Sequence, residues 1–173
     1  MKPIITIAIP SLNQGSFLEA ALKSIFAQGL PIELFVLDGG SSDDSIKIIE
    51  KYEDQITWWR SSKDGGQSDA INEGIERGTA PYVCWLNADD VLLPNGIKAL
   101  LEVMDSKPTI PVTYGQSWII SEIGHKMYPY FSAPFSPWLL ANYCFIAQPA
   151  TLIRRKVWEG VGGLNSDLEM AMD

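Results

Sequence analysis

Four times along the N-terminal part of the chain, a short run of apolar residues gives way to a polar or glycine-rich turn and then to a segment of helical period. Ile4 to Ile9 is unbroken and β-branched, as a strand buried on both faces would be, and Pro10 ends it. Leu18, Ala21, Leu22, Ile25 and Phe26 then recur at helical spacing, with Ser16 and Glu19 as a capping box and Gly29 and Pro31 after the end. The unit repeats as Glu33 to Leu37, then Asp38-Gly39-Gly40, then a helix from about Asp43 to Tyr52 capped by Ser42. It repeats again as Ile56 to Arg60, the turn Asp64-Gly65-Gly66, and a helix over Asp69 to Arg77 that Gly78 stops. The fourth strand is Tyr82 to Leu86, followed by Asn87-Ala88-Asp89-Asp90 and a helix opened by Pro94 with Ile97, Leu100, Leu101 and Met104 inward.

Such alternation predicts an α/β domain with a mostly parallel sheet and helices on both faces. Ligands of these sheets bind beyond the carboxyl ends of the strands. Ser11, Asn13, Asp38, Asp64, Asn87 and Asp89 all follow strands, so they should gather on one rim. After Lys107 the pattern changes. Val112 to Ile120 and Lys126 to Phe131 read as strands joined by a turn at Glu122 to Gly124, and Phe135 to Tyr143 as a short helix or loop. Ala150 to Ile153 returns as a strand, followed by a helix over Arg155 to Val161 and a Gly162-Gly163 turn.

With 173 residues the chain suits one domain, and its net charge of −8 argues against a nucleic-acid partner. No stretch is long and apolar enough for a membrane span, and the N-terminus lacks a signal-peptide pattern. The expected location is therefore cytoplasmic, or the inner face of a membrane if its partner is a lipid. Cys84 and Cys144 are expected to be buried free thiols. His125 is the only histidine, which excludes a multi-histidine metal site. The aromatic residues Trp118, Tyr128, Tyr130, Phe131, Phe135, Trp138 and Tyr143 could stack on rings of an amphipathic ligand but mostly read as core or interface, and Trp58 and Trp59 read as core strand residues.

Neither glycine-rich phosphate cradle is present: the first turn reads Pro10-Ser11-Leu12-Asn13-Gln14-Gly15, and no Walker-type lysine loop occurs. A bound nucleotide would need another source of positive charge. Asp89 and Asp90 repel one another, and a divalent cation relieves that repulsion while bridging phosphates. Capping of the next helix is the competing reading. Asp38 can accept the N–H edge of uracil, thymine or guanine, or it can simply shape its own turn. In the stretch Asp64 to Asn72, helix N–H groups can face an anion, or the residues can do ordinary turn and cap work.

Read together, the segments resemble the family 2 glycosyltransferases, the inverting group with the GT-A fold. The matching stretches are Ile7 to Asn13, Leu37 to Asp43, Asp64 to Gly74, Trp85 to Asp90, Gln148 to Arg155 and Gly162 to Asn165. The resemblance implies a UDP-, GDP- or dTDP-linked sugar donor and Mg²⁺ or Mn²⁺. It places Pro10, Ser11 and Asn13 in the nucleoside pocket, Asp38 at the base, and Asp89 at the metal as the acidic end of a D-x-D motif. Asn87 replaces that motif's first Asp and brings no charge. Asp64, Gln67, Asp69, Asn87 and Ala88 complete the expected donor contacts. The base that takes the acceptor's proton would be Asp173, at the very end of what resembles a shortened family member.

The resulting expectation is a single GT-A domain, with residues 1–107 as the donor half and 108–173 as a partial acceptor-side half. It would transfer sugar with inversion to a cell-surface polysaccharide, lipid carrier or other glycan. Two alternatives stand beside this: a donor-binding remnant without transfer, and a nucleotidyltransferase. The second needs a Gly- and Arg/Lys-rich loop after the first strand, which Asn13-Gln14-Gly15 does not supply.

Overall fold

In the computed structural model, which describes residues 1–168, the alternation becomes a six-stranded sheet with helices on both faces. The elements are β1 (Ile5–Ser11), α1 (Gly15–Phe26), β2 (Ile32–Asp38), α2 (Ser45–Lys51), β3 (Trp58–Ser61), α3 (Gln67–Arg77), β4 (Tyr82–Trp85) and α4 (Gly96–Ser106). There follow β5 (Val112–Tyr114), β6 (Trp118–Ile120), β7 (Lys126–Pro129), α5 (Pro137–Leu140), β8 (Thr151–Arg154) and α6 (Arg155–Val161).

The strand order is β3-β2-β1-β4-β8-β5, and β1 to β4 are parallel. The chain first winds outward from β1 through β2 to β3, then crosses back over α3 to place β4 on the other side of β1. The order therefore reverses between β1 and β4, the position where a crevice opens above the strand ends. β8 runs antiparallel between β4 and β5, so the later part of the chain completes the same sheet.

Each face has its own core. Ile5, Ile7 and Ile9 of β1 point to one side, against Leu18, Leu22 and Ile25 of α1, with Ile49 of α2 and Ile97, Leu101 and Met104 of α4 in the same cluster. Ala8, Phe35, Leu37, Val83 and Trp85 point to the other, where Ala70, Ile71 and Ile75 of α3 and Trp158 of α6 meet them. The period of two along β1 and the period near four along α3 explain why both runs read as they do. Gly74 sets the depth of α3: a Cβ there would lie 2.8 Å from Ala8 Cβ and 2.7 Å from Leu37 Cδ2.

Several local expectations are corrected. Pro10 does not end β1; it stays in register opposite Leu37, and the strand continues to Ser11. Ser16 and Glu19 form no capping box. The first N–H of α1, at Gly15, is bound instead by Asp43 Oδ2 at 2.8 Å, and Glu19 pairs with Lys23, Lys51 and Tyr52. Asp43, not Ser42, bonds the first N–H of α2, with its Oδ1 2.9 Å from Ser45 N. Pro94 stands outside α4, which begins after Asn95 in the left-handed region at φ 59°. The single strand expected over Val112 to Ile120 is broken near Gly115 into β5 and β6, and β6 pairs only with β7 in a separate hairpin. Cys84 is buried but Cys144 is exposed. No helix among the described residues is long and apolar enough to cross a membrane.

Candidate functional site

A cavity of about 390 Å³ lies at the reversal between β1 and β4. Its walls come from three loops and one helix end. Pro10, Ser11, Leu12 and Gln14 follow β1, Leu37 and Gly39 flank the end of β2, and Asn87, Ala88 and Asp89 follow β4. Asp64, Gly66, Gln67 and Ala70 close it from the start of α3. Sequence reasoning thus placed Pro10, Ser11, Asp64, Gln67, Asn87, Ala88 and Asp89 together, and the structure brings them to one cavity. It missed Leu12, Gln14, Leu37, Gly39, Gly66 and Ala70, most of which carry no reactive group and could be found only by their position beside the polar residues.

Asn13, Asp38 and Asp69 are not on the cavity wall, and the structure gives each another task. The Asp38 side chain is fully buried. Its Oδ2 accepts from Gly40 N at 3.0 Å, Ser41 N at 2.9 Å and Ser61 Oγ at 2.6 Å, and its Oδ1 accepts from Ser41 Oγ. The Asp38 carboxylate thus ties the loops after β2 and β3 to each other. Asn13, in the left-handed region at φ 54°, extends the web to the loop after β1. Its N–H donates to Ser41 Oγ at 2.7 Å, and its Oδ1 accepts from Ser42 N at 2.9 Å. Asp69 passes over Gly65, where any Cβ would collide with its carboxylate, and accepts from Ser166 Oγ.

Arg60 holds the third loop. Its guanidinium donates to the Asp38 and Ser62 carbonyls, to Asp64 Oδ2 at 3.1 Å and to Glu73 Oε2 at 2.7 Å. Asp64 Oδ1 in turn accepts from Gly66 N at 3.0 Å, so the turn before α3 is fixed from both sides. Arg60 was not singled out from the sequence; an arginine at a strand end four residues before an aspartate was the available signal.

Within the turn after β4 the two carboxylates part company. Asp89 is exposed and faces the cavity just described, whereas Asp90 lines a second, mainly apolar cavity of about 240 Å³ beside α4. Burial and then the neighbouring Asp89 charge push the Asp90 carboxyl up to about 6, against an opposing hydrogen bond from Asn87. Asn87 Oδ1 accepts from Gln67 Nε2 at 2.7 Å across the cavity mouth.

Among the described residues no three His, Cys, Asp or Glu side chains converge into a metal cage. The donor set instead fits a hard cation that keeps most of its positions for water and phosphate: one exposed carboxylate, Asp89, beside a second negative charge and an amide. The cavity wall also holds one unsatisfied group. Ser11, a residue of that wall, has a buried Oγ without a hydrogen-bond partner. The expected base, Asp173, lies outside the described residues. The described chain does lead back toward the cavity, because Asn72 pairs with both the N–H and the carbonyl of Leu164 at 2.9 Å and Ser166 reaches Asp69.

Comparison with known proteins supplies the remaining findings. The family described as "Glycosyl transferase family 2" matches residues 6–162. An uncharacterized glycosyltransferase of Rickettsia prowazekii (strain Madrid E) is 32% identical over 131 residues, covering 73% of this chain and 40% of the relative. One of Mycobacterium tuberculosis (strain ATCC 25618 / H37Rv) is 30% identical over 116 residues, covering 65% of this chain and 44% of the relative. The chain thus spans less than half the length of these curated relatives. Among solved structures, S. aureus TarS in complex with UDP-GlcNAc superposes with a TM-score of 0.72 at 17% identity, over 100% of this chain and 51% of that one. The mannosyltransferase PcManGT from Pyrobaculum calidifontis, in complex with GDP-Man and Mn²⁺, gives 0.71 at 17% identity, over 97% and 49%. These likenesses establish the shared GT-A fold.

Proposed function

This chain belongs to glycosyl transferase family 2, and from that premise we propose that its main cavity holds a nucleoside diphosphate sugar for transfer to an acceptor hydroxyl. The observation that carries the reading is the meeting of the β1 loop, the start of α3 and the Asn87–Asp89 turn around one cavity at the sheet's reversal point. The unpartnered Ser11 hydroxyl and the exposed Asp89 carboxylate support it, as does the presence of UDP-GlcNAc or GDP-Man in structures of the same fold.

In this reading Pro10 and Ser11 form the nucleoside wall. Asn13 and Asp38 act from behind it, holding the loops at a fixed separation. Gln67 and Asn87 stand where the sugar or ribose hydroxyls would pass. Asp89 would hold Mg²⁺ or Mn²⁺, which when bound supplies the positive charge that a diphosphate needs as it departs. Among the described residues the wall has no Lys, Arg or His to supply that charge. Single displacement with inversion, Asp173 as the base, and a glycan or lipid-linked acceptor complete the proposal. Residues 1–107 are assigned to the donor and 108–173 to the acceptor side.

The test is a thermal-shift screen of UDP-, GDP- and dTDP-sugars with Mn²⁺ and with EDTA. Metal-dependent stabilisation by at least one nucleotide sugar is the expected outcome, and Asp89→Ala should remove the metal-dependent part. No shift with any donor would overturn the reading, and an unchanged response of Asp89→Ala would place the metal elsewhere.

A further inference from the structure

Among the described residues the cavity wall carries carboxylates and amides but no basic side chain. Asp64 and Asp89 are both on the wall, and among the described residues no Lys, Arg or His joins them. Arg60 is not on the wall, and four of its five guanidinium N–H groups are bonded to Asp64, Glu73 and the Asp38 and Ser62 carbonyls. Lys63 lies in the same loop but is not on the wall. At the mouth stand two neutral amides, Gln67 and Asn87, joined by one hydrogen bond of 2.7 Å. That bond uses Nε2 of one and Oδ1 of the other. It orients both amides and leaves Gln67 Oε1 as an acceptor and the second Nε2 proton as a donor.

We propose that the donor's sugar is uncharged and that the Gln67–Asn87 amide pair reads its hydroxyl or N-acetyl groups. This rests on the donor-site reading above. A neutral sugar offers hydroxyls that give and take hydrogen bonds, matching oriented amides. A uronic acid would bring a carboxylate against Asp64 and Asp89, with its own diphosphate already claiming the cation. A charge stripped of water on a wall that offers it no cationic side chain is how a site rejects a ligand.

The experiment measures Mn²⁺-dependent binding of matched pairs by calorimetry: UDP-glucose against UDP-glucuronate, GDP-mannose against GDP-mannuronate, and dTDP-glucose against dTDP-glucuronate. Plain UDP, GDP and dTDP serve as references. For the carrier that binds, the neutral sugar should bind at least about tenfold more tightly than the uronate. Gln67→Arg, checked for an unchanged melting temperature without ligand, should narrow or invert that ratio by supplying the missing cation. A uronate that binds as tightly as its neutral partner overturns the inference. Equal binding of the neutral sugar nucleotide and the plain diphosphate also overturns it, since no sugar would then be read. A Gln67→Arg variant with the wild-type ratio overturns the assignment to the amide pair. If even the plain diphosphates fail to bind, the donor-site reading itself has failed, and this inference falls with it.

Discussion

Along the rim above β1, β2 and β3, loop side chains bond to one another; along the segment from Trp118 to Tyr143 they face water. The rim web links Asn13, Asp38, Ser41, Ser42 and Ser61, and its centre is fully buried. The other segment exposes Met127, Tyr128, Phe131, Phe135, Trp138 and Tyr143, with Trp138 at 70%. The difference follows from the sheets. Parallel strands covered on both faces bury the loops that leave them, and a buried polar group must find a partner. The two-stranded hairpin of β6 and β7 and the segment after it leave these side chains exposed. A cavity of defined shape can therefore be built on the first region.

Mutations should separate the two regions sharply. Asp38→Ala leaves four donors without their acceptor in a buried site and should cost about 3 kcal/mol, lowering Tm by roughly 6–12 °C. Chemical denaturation checks the size, and a cost below about 1 kcal/mol would show that the web is dispensable. Next comes Gly74→Ala, whose new methyl meets Ala8 and Leu37. Overpacking there should cost about 1–3 kcal/mol and move α3, weakening nucleotide binding as well. A neutral outcome would mean that α3 retreats freely from the sheet.

A smaller, pH-dependent effect belongs to the opposite end of the sheet. Burial would raise the Glu33 carboxyl, but hydrogen bonds from Thr79, Thr6 and Ala80 outweigh it and hold the group below its usual 4.5. A folded-state value below the unfolded one adds stability above pH 4.5 that is lost as pH falls through the folded value. Glu33→Gln should therefore flatten the loss of Tm below pH 4.5, and an unchanged acid limb would count against the network. The smallest effect is expected of Trp138→Ala, within about 0.5 kcal/mol, because its side chain has little to lose. A large loss of stability there would erase the contrast between the regions.

The helical and strand periods, the order of the units and the clustering of Pro10, Ser11, Asp64, Gln67, Asn87 and Asp89 at one cavity were legible because each depends on local chemistry plus one rule of parallel sheets. The directions in which the Asp38 and Asp69 carboxylates turn were not. An aspartate after a strand looks the same in sequence whether its carboxylate turns outward to a ligand or inward to Ser41 and Ser61. Nor does spacing reveal that Arg60 would be consumed by four acceptors drawn from Asp38 through Glu73.

Amino-acid order alone settled that strands and helices alternate, that the strand ends are polar, and that no basic phosphate cradle follows β1, since these follow from residues a few positions apart. Which neighbouring carboxylate faces which cavity, and which amides meet across the mouth, depended on side chains from distant loops competing for the same hydrogen-bond partners. That competition exists only once the sheet has brought the loops together.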